Sequence, residues 1–237
     1  MKPLVNSFKM FLSQIWRDSM LIAVCIAPLL AALFFRFGIP EIERLLCGYY
    51  EEKAIFADYY LLFDLFLSIL TPYMVCFASS MVMLTEYDEN MAQYMAVTPV
   101  GKKGYFNSRL VFPATISFLV SVLLMLCFSL TAWSLPMLII VCFLSSLTSV
   151  AVSLLLFSFS HNRVEGMAVA KMAGLIMLGL PVPFFLLSKA QYLFSILPSF
   201  WIAKLCLERS YWPLMPALIT SAAWICLLYG KFKKKIS

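Results

Sequence analysis

The chain is predicted to be an all-α integral membrane protein. It should have six transmembrane helices, an N-terminal interfacial helix and a re-entrant outer segment before the sixth helix. Of 237 residues, 63% are hydrophobic and only 13% charged, with a mean hydropathy of +0.92, whereas a soluble domain carries about a quarter charged residues. Its apolar residues run consecutively instead of alternating, which argues against a β-barrel. Helices close their backbone hydrogen bonds internally in lipid and so suit such runs. Disorder, collagen and coiled coil are excluded by the same composition.

A hydrocarbon core ~30 Å thick takes about 20 residues of helix. Residues 1–17 place Leu4, Phe8, Phe11, Leu12 and Ile15 on one helical face and Asn6, Lys9, Ser13 and Gln14 on the other. That is the pattern of a helix lying on the inner leaflet, serving either as an anchor or as an elbow packed on a neighbouring cytoplasmic subunit. Span one, 19–37, follows from the charge-free run Ser19 to Phe35. The basic region before it extends to Arg17 and no clear small-residue cleavage site follows, so it is read as a retained span rather than a signal peptide. An outer loop, 38–60, leads to span two, 61–85, and a cytoplasmic loop, 86–108. Leu110 to Ser160 is charge-free for 51 residues and must fold back on itself. The break belongs at Trp133-Ser134-Leu135-Pro136, because proline disfavours helix at the residue before it. Spans three and four are thus 109–132 and 136–159. A cytoplasmic loop, 160–170, precedes span five, 171–188. Ala190 to Ala203 is charge-free for only 14 residues, too few to cross, so 189–209 is read as re-entrant or interfacial. Span six is 210–230.

Twelve of the 18 Lys and Arg residues fall on the side of the termini. Since cytoplasmic loops hold the basic excess, both termini are placed in the cytoplasm and the chain in the cytoplasmic membrane. The formal charge of +6 is then a topology signal, not a nucleic-acid surface. Lys231 to Lys235 is expected to meet anionic lipid headgroups.

Little of the sequence suits catalysis. One histidine, His161, excludes zinc proteases with paired histidines and a histidine metal cluster within one subunit. No Gly-x-Ser-x-Gly is present. Gly101-Lys102-Lys103 fails as a phosphate loop, because Ala96 stands where the first Gly should be and Lys103 where Ser or Thr should bind magnesium. No catalytic residue, metal ligand or cofactor is assigned to this chain. The seven cysteines are mostly within apolar runs, and pairing of Cys47 with Cys206 is left open.

The loop from Thr85 to Pro99 carries the most information. Thr85 and Asp88 have capping-box spacing, and a helix is expected over 88–97. Tyr87, Met91, Tyr94 and Met95 share one face beside Glu86, Asp88 and Glu89, and Thr98-Pro99 ends the helix. Such a stripe suits docking into a groove on another protein, or rests on lipid headgroups or the chain's own spans.

Glu86-x-x-Glu89 through Val97-Thr98-Pro99-Val100-Gly101-Lys102-Lys103 and on to Tyr105, Ser108 and Arg109 resembles the loop between the second and third spans of type-2 ABC exporter permeases. The His161-Asn162-Arg163-Val164-Glu165-Gly166 loop resembles that of the fluoroquinolone export branch. The resemblance covers essentially the whole chain. It implies a permease half-transporter that moves its cargo outward. Its partners are two copies of a separate ATPase, which hold the ATP and Mg, and a second copy or sister permease. The 88–97 helix would be the coupling helix, with Arg163 and Glu165 as a second cytoplasmic contact, and the segment holding Pro198 and Trp201 would cap the outer exit.

Asp64 is expected near the outer face, either snorkelling or serving as a gate. Pro181 and Pro183 should bend span five. Without conspicuous charges along spans one, three, four and six, an amphipathic or hydrophobic cargo is expected. Two other readings stay open: an ATP-independent channel or carrier, and a non-transporting scaffold or immunity protein.

Overall fold

The computed structural model describes residues 2–51, 54–91, 94, 101–208 and 210–235, and every regular element among them is helical. The chain begins with α1 (Lys2–Arg17). Asp18, in an extended conformation, caps α2 (Ser19–Leu33) by accepting from the amides of Met20 at 2.9 Å and Leu21 at 3.4 Å. One π-turn, Phe34–Gly38, carries α2 directly into α3 (Ile39–Tyr50). Where a loop is expected from residue 38, the chain therefore stays helical as far as Tyr50. Pro40 falls just after the π-turn, where its missing amide leaves one bond of the continuous helix unmade. Glu51 ends this helix with φ of 59°. Glu43 then folds the chain back by accepting from the amides of Ile55, Phe56 and Ala57 and from the Tyr60 hydroxyl.

Next come α4 (Tyr60–Asp88), α5 (Gly101–Phe106) and a π-turn, Asn107–Val111, that leads into α6 (Phe112–Phe128). After the expected break, α7 (Leu135–Phe159) returns. Five stretches are long and apolar enough to cross a membrane among the described residues: Ser19–Tyr50, Ala57–Asp88, Lys103–Phe128, Leu135–Phe159 and Leu214–Lys235, the last being α11 once the helices between are counted. A multi-pass membrane protein follows.

The fifth expected span has a different form. It comprises α8 (Arg163–Ala173), a 3-10 turn over Gly174–Gly179 and α9 (Val182–Phe185). These pieces add up to about 35 Å of rise. A 3-10 turn Lys189–Ile196 and α10 (Pro198–Leu207) precede α11 (Leu214–Lys235). At the break, α10 packs closely on the chain. A Cβ on Gly179 would lie 2.2 Å from Ser199 Oγ and 2.7 Å from the Phe200 amide nitrogen, so only glycine admits α10 here. The Ile176 carbonyl, within the 3-10 turn, accepts from the Ser199 hydroxyl.

The hub is α4, which packs on α7, α6 and α2. Lipid tails are as apolar as leucine, so helices associate through close packing and hydrogen bonds rather than hydrophobic burial. Small hydroxyl residues supply both. Ser80 meets Ser153 at 2.7 Å and Ser68 meets Ser145 at 3.3 Å, with all four buried.

Contacts separate two ends of the bundle. At one, α1 packs on the Asn107–Val111 turn, Phe106 touches Phe232 near the C-terminus, and Arg163 pairs with Asp18. At the other, Tyr59 stacks on Phe185 at 5.4 Å and Trp201 meets Trp212. Hence the segment from Arg163 to Phe185 runs from the end that holds both termini to the opposite end.

Candidate functional site

At the terminal end, the end of α4 and the turn after α5 meet in a buried cluster built on Glu86 and Arg109. The Arg109 Nε lies 3.1 and 3.0 Å from the two Glu86 oxygens, and Nη2 lies 2.6 Å from Oε1. Its remaining nitrogen, Nη1, donates to the Ser7 carbonyl of α1 at 2.7 Å. Both charged side chains are 0% exposed. The Phe11 and Tyr105 rings flank the guanidinium, with centroids 5.4 and 5.7 Å from it. Ser7 and Ser108 hydroxyls meet at 3.2 Å, and the Ser79 hydroxyl bonds the Arg109 carbonyl. One guanidinium thus joins α1, the end of α4 and the turn that leads into α6. Burying an ion pair is costly, and removing one partner costs about 3–5 kcal/mol.

The structure distributes the expected docking residues unevenly. Glu86 faces inward to Arg109 instead of outward. Thr85 is no N-cap: its hydroxyl donates to the Met81 carbonyl within α4 at 3.0 Å. α4 continues to Asp88 and stops at Asn90, whose φ is 57°, with Glu89 and Asn90 amides bonding the Thr85 and Tyr87 carbonyls. A new turn starts there, since the Tyr94 amide bonds the Asn90 carbonyl at 3.2 Å. Tyr87 packs edge-on against Phe157 and lies under the Lys235 ammonium, 4.5 Å from its ring. Lys235 also bonds the Phe157 carbonyl in the last turn of α7 at 2.6 Å and that of Ser160 just beyond it. Asp88, Glu89 and Tyr94 are exposed, Tyr94 at 71%, and Met91 is half-buried. Met95, Thr98 and Pro99 lie outside the described residues.

Arg163 and Glu165 are both engaged within the chain. Arg163 pairs with Asp18, while Glu165 accepts from the His161 amide at 2.7 Å and Asn162 Oδ1 accepts from the Glu165 amide at 2.8 Å, a capping box at the start of α8. Partial burial pushes the Asp18 carboxyl up. Its hydrogen bond and charge interaction with Arg163 and the Leu21 and Met20 amides outweigh this and hold it below the ordinary carboxylate range.

At the opposite end, Asp64 is 1% exposed. It accepts from the amides of Leu130 (2.8 Å) and Thr131 (2.9 Å), from the Thr131 hydroxyl (2.5 Å) and from Trp133 Nε1 (2.9 Å). Its side chain therefore turns into the protein and ties the α6–α7 connection; it does not snorkel. Pro198 begins α10, and Trp201 Nε1 donates to the Ser195 carbonyl at 2.7 Å. Pro181 and Pro183 flank the junction between the 3-10 turn and α9. Cys47 and Cys206 are free thiols. Sequence reasoning did not single out Lys204. It is 4% exposed, with its ammonium against the Tyr192 hydroxyl and the Tyr192, Phe200 and Trp212 rings and 3.5 Å from Glu208. The aromatic run around it was its available signal.

Among the described residues, no group of three or more His, Cys, Asp or Glu side chains converges on a metal-sized site. No solved structure matches the chain significantly. Two curated proteins do, the fluoroquinolones export permease proteins Rv2686c of Mycobacterium tuberculosis strain H37Rv and MT2760 of strain CDC 1551. Each is 25% identical over 228 residues, which cover 93% of this chain and 90% of the relative. The family model described as fluoroquinolones export permease protein Rv2686c-like matches residues 11–229. A match over residues 11–229, which takes in most of the helical bundle and both Glu86 and Arg109, means that this chain belongs to that permease family.

Proposed function

We propose that the chain is the membrane-spanning permease subunit of an ATP-driven ABC exporter. It moves an amphipathic or hydrophobic compound outward across the cytoplasmic membrane, and the names of its relatives favour a fluoroquinolone-like drug. The observation that carries this reading is the Glu86–Arg109–Ser7 clamp at the root of the segment that carries the exposed Asp88, Glu89 and Tyr94, because it links a surface a motor could grip to α1, α4 and the turn into α6 at once. The chain itself holds no phosphate loop, so the work comes from a separate ATPase in two copies. ATP and Mg belong to that subunit. A second permease copy or a sister permease completes the pathway. ATP-driven closure of the motor, acting through the loop, biases the permease between two arrangements.

Six crossings are part of the proposal. The Arg163–Phe185 segment is the fifth, broken by its 3-10 turn, and both termini are cytoplasmic. The 189–207 segment reaches Ile176 through Ser199 and receives Trp224 Nε1 at the Ile196 carbonyl before returning to Trp212, which supports a re-entrant path from the outer face. With Glu86 and Tyr87 turned inward, the proposed contact is Asp88, Glu89, Met91 and Tyr94, with Met95, Thr98 and Pro99 further along.

Affinity purification from native membranes tests the assignment. An ATPase should be recovered at near-equal amount with the unsubstituted chain and lost with Tyr94→Asp. Consistent absence of an ATPase, or solute movement by the isolated chain in nucleotide-free vesicles, refutes it.

A further inference from the structure

A cavity of about 520 Å³ opens at the far end, between the start of α4, the α6–α7 connection and the link from α10 to α11. Ligand pockets run to ~300–1,000 Å³ and combine an apolar wall with few polar groups. Leu61, Trp133 and Met137 form the wall here, while Ser134, Ser210 and Tyr211 bring hydroxyls. Those three hydroxyls carry no hydrogen bond to another described residue. Trp133 cannot swing freely, since Asp64 holds its indole nitrogen and the neighbouring Thr131. A fixed indole face offers stacking, and no described lining residue is charged.

We infer that this cavity binds a flat amphipathic aromatic compound, stacked on Trp133 and hydrogen-bonded at its edge, as a site on the release side of the transport path. The ligand class is argued from the cavity; its place in transport rests on the exporter reading. Cys206 borders the site without a bonded partner.

The probe is norfloxacin, a fluoroquinolone, measured by equilibrium dialysis against the full chain in lipid nanodiscs. Ala132 and Ser210 sit on the lining, so Ala132→Trp and Ser210→Phe should each weaken binding at least tenfold. Leu193→Trp, at an 82% exposed position outside the cavity, should bind as the unsubstituted chain does. All variants are checked for a single gel-filtration peak and for ATPase recovery. Equal affinity in both blocked variants, or no binding by the folded chain, overturns the site. Blocked binding without any recovered ATPase keeps the site and removes the exporter reading; recovered ATPase with unaltered binding does the reverse.

Discussion

Replacing either member of the Glu86–Arg109 pair should be far more damaging than replacing both. Arg109→Met leaves a carboxylate that is 0% exposed without the three contacts of 2.6–3.1 Å that held it. It also leaves the Ser7 carbonyl without its 2.7 Å donor. Stranding one buried charge costs about 3–5 kcal/mol, or between two and four decades in the folding equilibrium at about 1.4 kcal/mol per decade. Glu86→Leu strands the guanidinium with the same consequence. In the double variant both charges disappear, and apolar replacements of similar volume bring the cost back towards zero, leaving chiefly the lost Ser7 bond at about 1–3 kcal/mol. The assay is a double-mutant cycle on the full chain, unfolded reversibly in mixed micelles of increasing SDS fraction. A coupling energy of at least about 2 kcal/mol is expected. Additive single effects of under about 1 kcal/mol each refute the reasoning, since they mean that water reaches the pair. ATPase recovery on the same variants asks a second question. If the clamp transmits force, the stable double variant still holds the ATPase but transports at less than a tenth of the original rate.

Gly179→Ala should destabilise the chain by about 1–3 kcal/mol by overpacking, because its Cβ meets the Phe200 backbone nitrogen at 2.7 Å as well as Ser199; a melting temperature within a degree of the parent contradicts this. Asp64→Ala removes an acceptor of four hydrogen bonds from the α6–α7 connection and should cost about 2–4 kcal/mol, with faster proteolysis near Thr131; unchanged cleavage sinks it. Tyr49→Cys, at an 80% exposed position, should react with an impermeant thiol reagent on whole cells and Glu89→Cys should not; the reverse pattern inverts the orientation. The Asp18–Arg163 tie involves a carboxyl depressed in the folded chain. Its contribution is present above the ordinary carboxylate range and lost as pH falls through the depressed value. Asp18→Asn should flatten that acid limb of a stability profile, and an identical limb argues against the tie.

Periodicity and charge spacing made the helical class and five long apolar stretches readable, because lipid imposes length and composition on each element independently. Trp133-Ser134-Leu135-Pro136 marked the α6–α7 turn for the same local reason. What escaped was set by partners distant in sequence. Glu86 looks like one acid among several beside an exposed stripe; only the Asn107–Val111 turn, 23 residues on, makes it the anion of a buried pair. Thr85 has an N-cap spacing, yet the helix stops five residues later at Asn90, because a left-handed residue ends a helix by backbone geometry that capping patterns do not encode. Residues 38–50 are polar enough for a loop, but Ile39, Ile42, Leu45 and Leu46 recur at helical spacing among Glu41, Glu43 and Arg44, a signal present and unused. Span five was legible as apolar and, through Pro181 and Pro183, as bent; the 3-10 turn and the seat of α10 against Gly179 were not, since Ser199 and Phe200 reach it from 20 residues on. A charge bordering a charge-free run, matched by one opposite charge across a single loop, is therefore the pattern to search for first. In lipid two such charges are cheaper together than apart, and here they hold the root of the segment that offers Met91 and Tyr94 beside Asp88 and Glu89.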